Sequence, residues 1–212
     1  MNVSFAITTC NENEELDRLL SILSEYIGDD DEVVVLRDVG TTEEVVSVLE
    51  KFENIFDCDF KHDNIHDLAK DFASHKNHLN SLCTRDYIFQ IDADEYPSED
   101  LLQILPQILE LNKGIDLILV PRINTVNGLT EDHINRWGWR VNDSGWVNFP
   151  DYQWRIYRND SEIYWINRVH ERIVGFDTFT ELPAEEEFCL YHPKDIERQV
   201  AQNELYGEIM ET

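Results

Sequence analysis

Three carboxylates follow directly on a short apolar segment near the middle of the chain. Residues 87–91 (Tyr-Ile-Phe-Gln-Ile) have the pattern of a buried strand, and Asp92, Asp94 and Glu95 come immediately after it. In open α/β sheets, ligands bind at the carboxyl ends of the strands. Carboxylates two residues apart at such an edge suit Mg²⁺ or Mn²⁺, because both cations prefer hard oxygen ligands. The sequence therefore predicts a metal–diphosphate site at Asp92 and Asp94.

Two more polar segments accompany predicted strands. Residues 8–12 (Thr-Thr-Cys-Asn-Glu) lie at the end of the first strand, and residues 37–43 (Arg-Asp-Val-Gly-Thr-Thr-Glu) follow the second. Each segment alone is explained by helix capping, for which Thr, Asn and Asp are ordinary residues. Because the carboxyl ends of parallel strands lie at one edge of a sheet, the three segments together favour a shared site.

The first 120 residues alternate between strand and helix patterns. Apolar runs predict strands at 3–9, 32–36, 57–61, 87–91 and 116–120. Apolar residues at helical spacing predict helices at 14–23, 42–52, 65–82 and from Ser98 onward, the last of them kinked or restarted at Pro106. This alternation predicts an α/β fold, with a mostly parallel sheet covered by helices on both faces.

The pattern changes after residue 121, where the chain becomes rich in Trp, Tyr, Asn and Arg. We predict short strands at 153–157, 163–166 and 188–191, no helix before residue 190, and a closing amphipathic helix at 194–212. Aromatic rings beside polar groups suit sugar recognition, although any single Trp is more simply explained as core of an antiparallel extension. We therefore divide one domain into an α/β half, 1–121, and an aromatic-rich mixed extension, 122–212.

The charge of the chain excludes some partners. Forty-four acidic residues against seventeen basic ones give a net charge of −27. Such a surface repels duplex DNA and anionic lipid, so we expect no bulk binding of nucleic acid. The four cysteines form no CxxC pattern and no basic leader precedes the first strand, which predicts reduced thiols and a cytoplasmic protein. No apolar stretch approaches the ~20 residues of a transmembrane helix.

Further segments complete an ordered set of motifs. Besides the three polar segments, the set comprises Lys76-Asn77, Gln153-Trp154-Arg155-Ile156-Tyr157-Arg158 and Val169-His170-Glu171. In this order, the motifs resemble family 2 glycosyltransferases with the GT-A fold, and more narrowly the small bacterial lipopolysaccharide core glucosyltransferases. The resemblance covers nearly the whole chain. It implies that 1–121 is a nucleotide-sugar-binding half and 122–212 an acceptor and catalytic half.

The resemblance implies a role for five residues in binding the donor. Thr9 and Asp38 would line the nucleoside pocket, with Asp38 accepting a hydrogen bond from the base. Lys76 matches a basic position that faces the donor nucleotide. Asp92 would bind the ribose, and Lys194 would offset phosphate charge. The donor class that the resemblance favours is a UDP-sugar.

The resemblance also implies a cation and a catalytic base. Asp94 would bind Mn²⁺ or Mg²⁺ between the phosphates, and His192 would complete the metal shell. Glu171 stands at the position of the base that takes the acceptor's proton. Direct displacement with a single base would invert the anomeric centre.

Other interpretations of the same residues stay open at this point. Lys76 has an alternative as an ordinary surface residue of its helix, and His192 as a histidine at a strand end. Arg155 and Arg158 are expected to pair with the acidic surface. The histidines at 62, 66, 75 and 78 give no closed zinc set, which favours structural use.

Other protein classes also compete for the Asp-x-Asp pattern. A phosphatase of the haloacid dehalogenase type places its motif near the N-terminus, unlike this chain. An EF-hand is excluded by Pro97, which stands where its loop requires Gly. The remaining alternative is a non-catalytic glycosyltransferase-like module that binds saccharide or protein.

Overall fold

The computed structural model of the protein describes residues 1–68 and 71–201. Within them, nine strands form one sheet in the order β3-β2-β1-β4-β7-β6-β11-β5, with β10 also paired to β6, and β8 and β9 form a separate ribbon. The strands are β1 Val3–Thr9, β2 Glu32–Arg37, β3 Asp59–Ile65, β4 Tyr87–Asp92, β5 Tyr96–Pro97, β6 Leu117–Asn127, β7 Val147–Arg158, β8 Tyr164–Ile166, β9 Arg172–Val174, β10 Phe179–Glu181 and β11 Leu190–Asp195. The helices are α1 Asn13–Tyr26, α2 Glu43–Phe52, α3 Phe72–Leu82, α4 Glu99–Leu111 and α5 Glu131–Trp137, with a 3₁₀ turn at Glu186–Phe188.

Alternation along the central strands divides the interior into two cores. Val33 and Val35 of β2 lie in the core with the buried leucines of α1, α2 and α4. Val34 and Leu36 lie in the second core, on the opposite face, with Leu79 of α3. Full burial of each such side chain contributes roughly 1.5–3 kcal/mol. The predicted α/β fold with helices on both faces of a mostly parallel sheet is confirmed.

Parallel pairing brings the three polar segments to one edge of the sheet. Strand β1 lies between β2 and β4, with Thr8 opposite Asp92 and Thr9 opposite Arg37. The amide of Asp38 donates to the carbonyl of Thr9 at 2.9 Å. The ends of β1, β2 and β4 are therefore adjacent, as the sequence predicts.

The later strands add two more sets of residues to the same edge. Strand β7 runs antiparallel between β4 and β6, so its early residues reach the edge where β4 ends. Strand β11 is parallel to β6 and places His192 opposite Asn124. Both strands thus deliver side chains from the second half of the chain to the rim.

The third helix begins seven residues later than predicted. Ile65 still belongs to β3, where it lies opposite Arg37 of β2. Helix α3 starts at Phe72, because the Asp71 carboxylate caps it by accepting from the amide of Ser74 at 3.0 Å. The prediction of a helix at 65–68 was wrong, since strand pairing takes Ile65.

Other boundaries also differ from the prediction. Helix α4 is one uninterrupted helix in which Pro106 lies on the exposed side. The short helix α5 occupies a region where we expected none, because Thr130 caps its start and Gly138, at φ 66°, ends it. The last predicted strand starts at Leu190 instead of 188, after the 3₁₀ turn. Of the predicted closing helix, Lys194 and Asp195 belong instead to β11, where they pair with β6, and residues 196–201 are helical. The rest of that predicted helix lies outside the described residues.

The described helices are all too short or too polar to cross a lipid bilayer. The four cysteines are free thiols.

A buried carboxylate fixes the amino edge of the sheet, opposite the polar segments. Glu32, at the start of β2, has no exposed surface. It accepts hydrogen bonds from Ser4 Oγ at 2.6 Å, from Thr84 Oγ1 at 3.0 Å and from Lys61 Nζ. Burial favours the neutral acid, but the hydrogen bonds from Lys61, Ser4 and Thr84 outweigh it and lower the pKa of Glu32 from 4.5 to about 2.

We expect Glu32→Gln to lower the free energy of unfolding by roughly 1–3 kcal/mol at pH 7, because the amide cannot accept all the hydrogen bonds that Ser4, Thr84 and Lys61 donate to the buried carboxylate. The folded pKa of Glu32 lies below the unfolded value of 4.5, so its contribution is complete above that pH and is lost as the pH falls towards 2. Urea denaturation at pH 7 and pH 3 measures both effects, with exposed Glu50→Gln as control. An effect of equal size at the two pH values would contradict the account.

Candidate active site

A cleft of about 1130 Å³ opens at the carboxyl edge of the sheet. Its walls come from the ends of β1, β2 and β4, from α3, from β7 and β11, and from the turn before β9. All eight residues that the sequence analysis singled out line this one cleft: Thr9, Asp38, Lys76, Asp92, Asp94, Glu171, His192 and Lys194.

Asp38 anchors one end of the cleft. Its two carboxylate oxygens accept from the backbone amides of Leu68 and Gly40, each at 2.8 Å. Burial favours the neutral acid, but these amide hydrogen bonds outweigh it and lower the pKa of Asp38. Asp38 is therefore a fixed, ionised acceptor in the cleft wall.

A histidine cluster lies beside Asp38. His75 lines the cleft, and burial lowers its pKa to about 4, so the ring is neutral at neutral pH. Its Nδ1 lies 3.3 Å from His66 Nδ1, and His66 stacks on His78. This packing agrees with the structural use expected for these histidines.

Asp92 ends β4 inside a hydrogen-bond network. Its carboxylate accepts from Thr8 Oγ1 at 3.1 Å, from Gln90 Nε2 at 2.9 Å and from Arg155 Nη2 at 2.7 Å. Burial alone would favour the neutral acid. The charges of Arg155 and Lys76 outweigh burial and hold the pKa of Asp92 well below its usual range. Asp92 is therefore an ionised acceptor held by three side-chain hydrogen bonds.

The expectation that Arg155 pairs with the acidic surface was wrong. Arg155 is buried, and its guanidinium bonds Gln90 Oε1 and Glu95 Oε1, both at 2.6 Å, as well as Asp92. Glu95 has no exposed surface as a side chain and also accepts from Arg122 Nη1 at 2.6 Å. Arg155 stands between the apolar residues Trp154 and Ile156, and this position was the signal that it is buried. Arg158, by contrast, pairs with Asp116 as expected.

Lys76 joins the two halves of the site. It is buried, which rules out the alternative of a surface lysine. Its Nζ lies 2.7 Å from Glu171 Oε1, 3.5 Å from Asp92 Oδ1 and 4.7 Å from the centre of the Trp165 ring. Lys76 thus orients the Glu171 carboxylate against the end of β4.

A constrained turn carries Glu171 into the cleft. His170 has a φ of 52° and Asn167 a φ of 74°, both in the left-handed region. A histidine in this region costs conformational energy, and such residues cluster at functional sites. The turn is tied to α3 by the Phe72 amide, which donates to the Arg168 carbonyl at 3.0 Å.

A chain of hydrogen bonds fixes the tautomer of His192. Asp151 accepts from Asn124 Nδ2 at 2.8 Å, which turns Asn124 Oδ1 towards His192 Nδ1 at 2.7 Å. Burial outweighs the attraction of Asp94 and lowers the pKa of His192, so the ring is neutral and Nδ1 carries its proton. The lone pair of Nε2 then faces Asp94 Oδ2 at 3.3 Å.

The pair formed by His192 and Asp94 fits a divalent cation. In the Nδ1–H tautomer, the Nε2 lone pair of His192 and the carboxylate oxygen of Asp94, 3.3 Å apart, are both available to contact one cation. Mg²⁺ keeps several waters and often takes only one or two protein ligands. Within residues 1–68 and 71–201, no three His, Cys, Asp or Glu side chains gather into a complete metal cage. A cation held here would therefore take its other ligands from water or from a bound diphosphate.

Two cations also approach Asp94. Lys194 Nζ and Arg198 Nη2 each lie 3.6 Å from Asp94 Oδ2. Arg198 further contacts Glu12 and Glu15 at 3.1 and 2.6 Å. These groups can offset negative charge on a ligand beside Asp94.

Sequence reasoning missed Arg122, Asn124 and Arg198 as parts of the site. Arg122 and Asn124 stand in β6, inside a segment that gave no strand pattern beyond residue 120. Arg198 was hidden in the predicted closing helix, although a basic residue so soon after Lys194 in an acidic chain was a usable signal.

Most of the chain matches a known protein family. The family model described as glycosyl transferase family 2 matches residues 4–174. A search of curated proteins finds no significant match.

Solved structures of Staphylococcus aureus TarS share the fold. TarS 1–349 in complex with UDP superimposes with a TM-score of 0.64 at 16% identity, over 91% of this chain and 60% of that one. The complex with UDP-GlcNAc gives a TM-score of 0.64 at 16% identity, over 92% and 59%. This chain spans about three fifths of the length of that TarS chain. At this identity, the likeness establishes the fold alone.

We expect His192 to be the Nδ1–H tautomer in metal-free protein at pH 7.5, because Asn124 Oδ1 fixes that proton. Long-range ¹H–¹⁵N spectra of the imidazole report the tautomer. In Asn124→Ala, the proton should move to Nε2, where it can donate to Asp94. Asn127→Ala, on the same strand, is the control and should leave the tautomer unchanged. An Nε2–H tautomer in the wild-type protein would overturn this assignment.

Proposed function

Because the chain belongs to glycosyl transferase family 2, we propose that it transfers a sugar from a UDP-sugar to a hydroxyl acceptor, with inversion and with the help of a divalent cation. The observation that carries this proposal is the convergence of the eight predicted residues on one cleft. The resemblance to the family is confirmed, while the narrower resemblance to lipopolysaccharide core glucosyltransferases stays a prediction.

The nucleoside of the donor fits the end of the cleft near Asp38. Its rigid carboxylate can accept from an N–H of the base, and Thr9 lies beside it in the cleft wall. Asp92, at the end of the neighbouring strand, is within reach of the ribose hydroxyls in this arrangement. The UDP and UDP-GlcNAc complexes of TarS support a uridine donor.

The diphosphate of the donor falls beside Asp94. Asp94 and His192 would hold Mn²⁺ or Mg²⁺, which supplies positive charge to the diphosphate leaving group when bound. Lys194 and Arg198, each 3.6 Å from Asp94 Oδ2, can donate to phosphate oxygens from the protein itself. Arg198 would then leave its ion pairs with Glu12 and Glu15 and bind the diphosphate of the donor.

Glu171 takes the role of the catalytic base. The acceptor oxygen forms a bond to the anomeric carbon as the bond from that carbon to the diphosphate oxygen breaks, and the hydroxyl proton passes to Glu171. Lys76 holds the Glu171 carboxylate at 2.7 Å and so keeps it aimed into the cleft. A single displacement of this kind inverts the anomeric centre, and a positioned base typically contributes 10²–10⁴-fold.

Two coarser expectations stay predictions. One is the division into a donor half, 1–121, and an acceptor half, 122–212: Thr9, Asp38 and Asp94 fall in the first half and Glu171 in the second, whereas His192, Lys194 and Arg198 would bring the second half to the donor as well. The other is the cytoplasmic location.

We expect UDP to raise the melting temperature of the wild-type protein only with Mn²⁺ or Mg²⁺, because His192 and Asp94 supply a cation site. UDP at a hundred times its Kd adds roughly 2.7 kcal/mol, which a thermal-shift panel of UDP, GDP and CDP with metal or EDTA detects. Asp94→Ala should lose the metal-dependent shift.

The matched control for that variant is Asp195→Asn, which removes one exposed carboxylate from the same edge. A shift of equal size in EDTA would show that UDP binding does not require a metal. Lys194 and Arg198 would then be the only proposed partners of the phosphates. No shift with any nucleotide, together with saccharide binding indifferent to EDTA, would favour the non-catalytic module.

We expect Glu171→Gln to keep the affinity for UDP and to lower turnover by about 10²–10⁴-fold, because the amide cannot accept the acceptor's proton. UDP release from a UDP-sugar in the presence of acceptor measures turnover, and calorimetry with UDP measures binding. The exposed Glu181→Gln is the control. Full turnover in Glu171→Gln would eliminate Glu171 as the base.

A further inference from the structure

The loop between β6 and β7 holds three of the five tryptophans of the chain, at 137, 139 and 146. None of the three belongs to either hydrophobic core, nor does any residue of α5. Trp165, by contrast, is buried in the second core, and Trp154 packs against it. Core packing therefore explains Trp154 and Trp165 but leaves the three loop tryptophans without a structural purpose.

Three rings of this loop are in contact with one another, and we name this cluster the aromatic platform: His133, Trp137 and Trp139. The His133 and Trp137 rings are stacked in nearly parallel planes, at 11°, with their centres 5.1 Å apart. The Trp139 ring follows 4.6 Å from that of Trp137, tilted by 46°. All three side chains are only partly buried.

The backbone holds this platform in a defined conformation. Thr130 and His133 form a reciprocal capping box at the start of α5. The Trp139 amide donates to the Ile134 carbonyl at 3.0 Å, across Gly138 in the left-handed region. The Asn148 amide donates to the Arg140 carbonyl at 2.7 Å. Such pre-organisation lowers the entropic cost of binding a ligand.

The platform meets the candidate active site at Trp139. This residue lines the same cleft as Glu171, together with the amide-bearing Asn148 and Gln153. A pyranose presents an apolar C–H face that stacks on an indole, and equatorial hydroxyls that bond to amides at its edge. Rings beside amides at the mouth of a cleft thus match the two surfaces of a sugar.

We propose that the aromatic platform is the acceptor subsite and that the acceptor is an uncharged saccharide, stacked on Trp139 with a hydroxyl directed to Glu171. The proposal rests on the proposed function, since it assigns the second substrate of the same reaction. It restricts the acceptor from any compound with a hydroxyl group to uncharged saccharides whose sugar ring can stack on an indole.

The charge distribution carries the second part of the proposal. Lys194 and Arg198 of the cleft are already assigned to the diphosphate of the donor, and Lys76, Arg122 and Arg155 each face at least one carboxylate within 4 Å. A polyanionic acceptor would also have to approach a chain with a net charge of −27. Among the cleft-lining cations of residues 1–68 and 71–201, Arg172 is the exposed one, beside Glu171, and an anionic acceptor would depend on it. Substitution of Arg172 therefore tests whether the acceptor is anionic.

The experiment measures the binding of immobilised uncharged and anionic oligosaccharides to the full chain, with UDP and Mn²⁺ present. UDP affinity is measured separately for every variant. We expect binding to uncharged glycans, at least tenfold weaker binding in Trp139→Ala, and partial recovery in Trp139→Phe. Trp146→Ala, in the same loop but not lining the cleft, is the folding control and should bind like the wild type. Arg172→Gln should also bind normally.

Three results would overturn the proposal. One is binding of anionic glycans only, abolished by Arg172→Gln; another is equal binding by Trp139→Ala and Trp146→Ala. The third is a wild-type protein that binds UDP but no uncharged glycan. If instead UDP fails to bind while uncharged glycans bind through Trp139, the proposed transfer reaction is contradicted, but the saccharide site at Trp139 is supported.

Discussion

One buried guanidinium holds the candidate site together. Arg155 reaches from β7 to Asp92 at 2.7 Å and to Glu95 at 2.6 Å, and so fixes the turn that follows β4. Burial would favour the neutral form of Asp92, and the charges of Arg155 and Lys76 outweigh it and hold the pKa of Asp92 well below its usual range. With Asp92 and Glu95 bound inward, Asp94 is the carboxylate of the turn that faces His192 across the cleft. The antiparallel insertion of β7 is therefore as important to the site as the parallel strands.

The strong negative charge of the chain would repel an anionic nucleotide, but cations paired with carboxylates are held locally in the cleft. Lys76 and Lys194 are buried and paired with the partly buried carboxylates of Glu171 and Asp94, so they stay in place without an exposed basic surface. A divalent ion at Asp94 would add positive charge where side chains have already been neutralised. Arg198, held by Glu12 and Glu15, is the cation that can change partners when a diphosphate enters.

Local sequence patterns were sufficient to predict most of the strands and helices of the α/β half, residues 1–121. Alternation and helical spacing located β1, β2, β4, α1 and α2, and parallel topology then implied that Asp38 and Asp94 share an edge. What the sequence could not provide was the register between distant strands. The contact between Asn124 and His192 depends on the pairing of β6 with β11, and no local pattern encodes that pairing. Helix α5 escaped prediction because seven residues without a buried face leave no hydrophobic period.

A crystal structure with UDP and Mn²⁺ tests the central claim most directly, since anomalous scattering locates the manganese without ambiguity. The account predicts a manganese peak in contact with the carboxylate of Asp94 and with Nε2 of His192. It also predicts the uracil beside Asp38 and the diphosphate within reach of Lys194 and Arg198. A nucleotide bound outside this cleft, or bound within it with no metal at Asp94, would contradict the account of a metal-dependent nucleotide-sugar site.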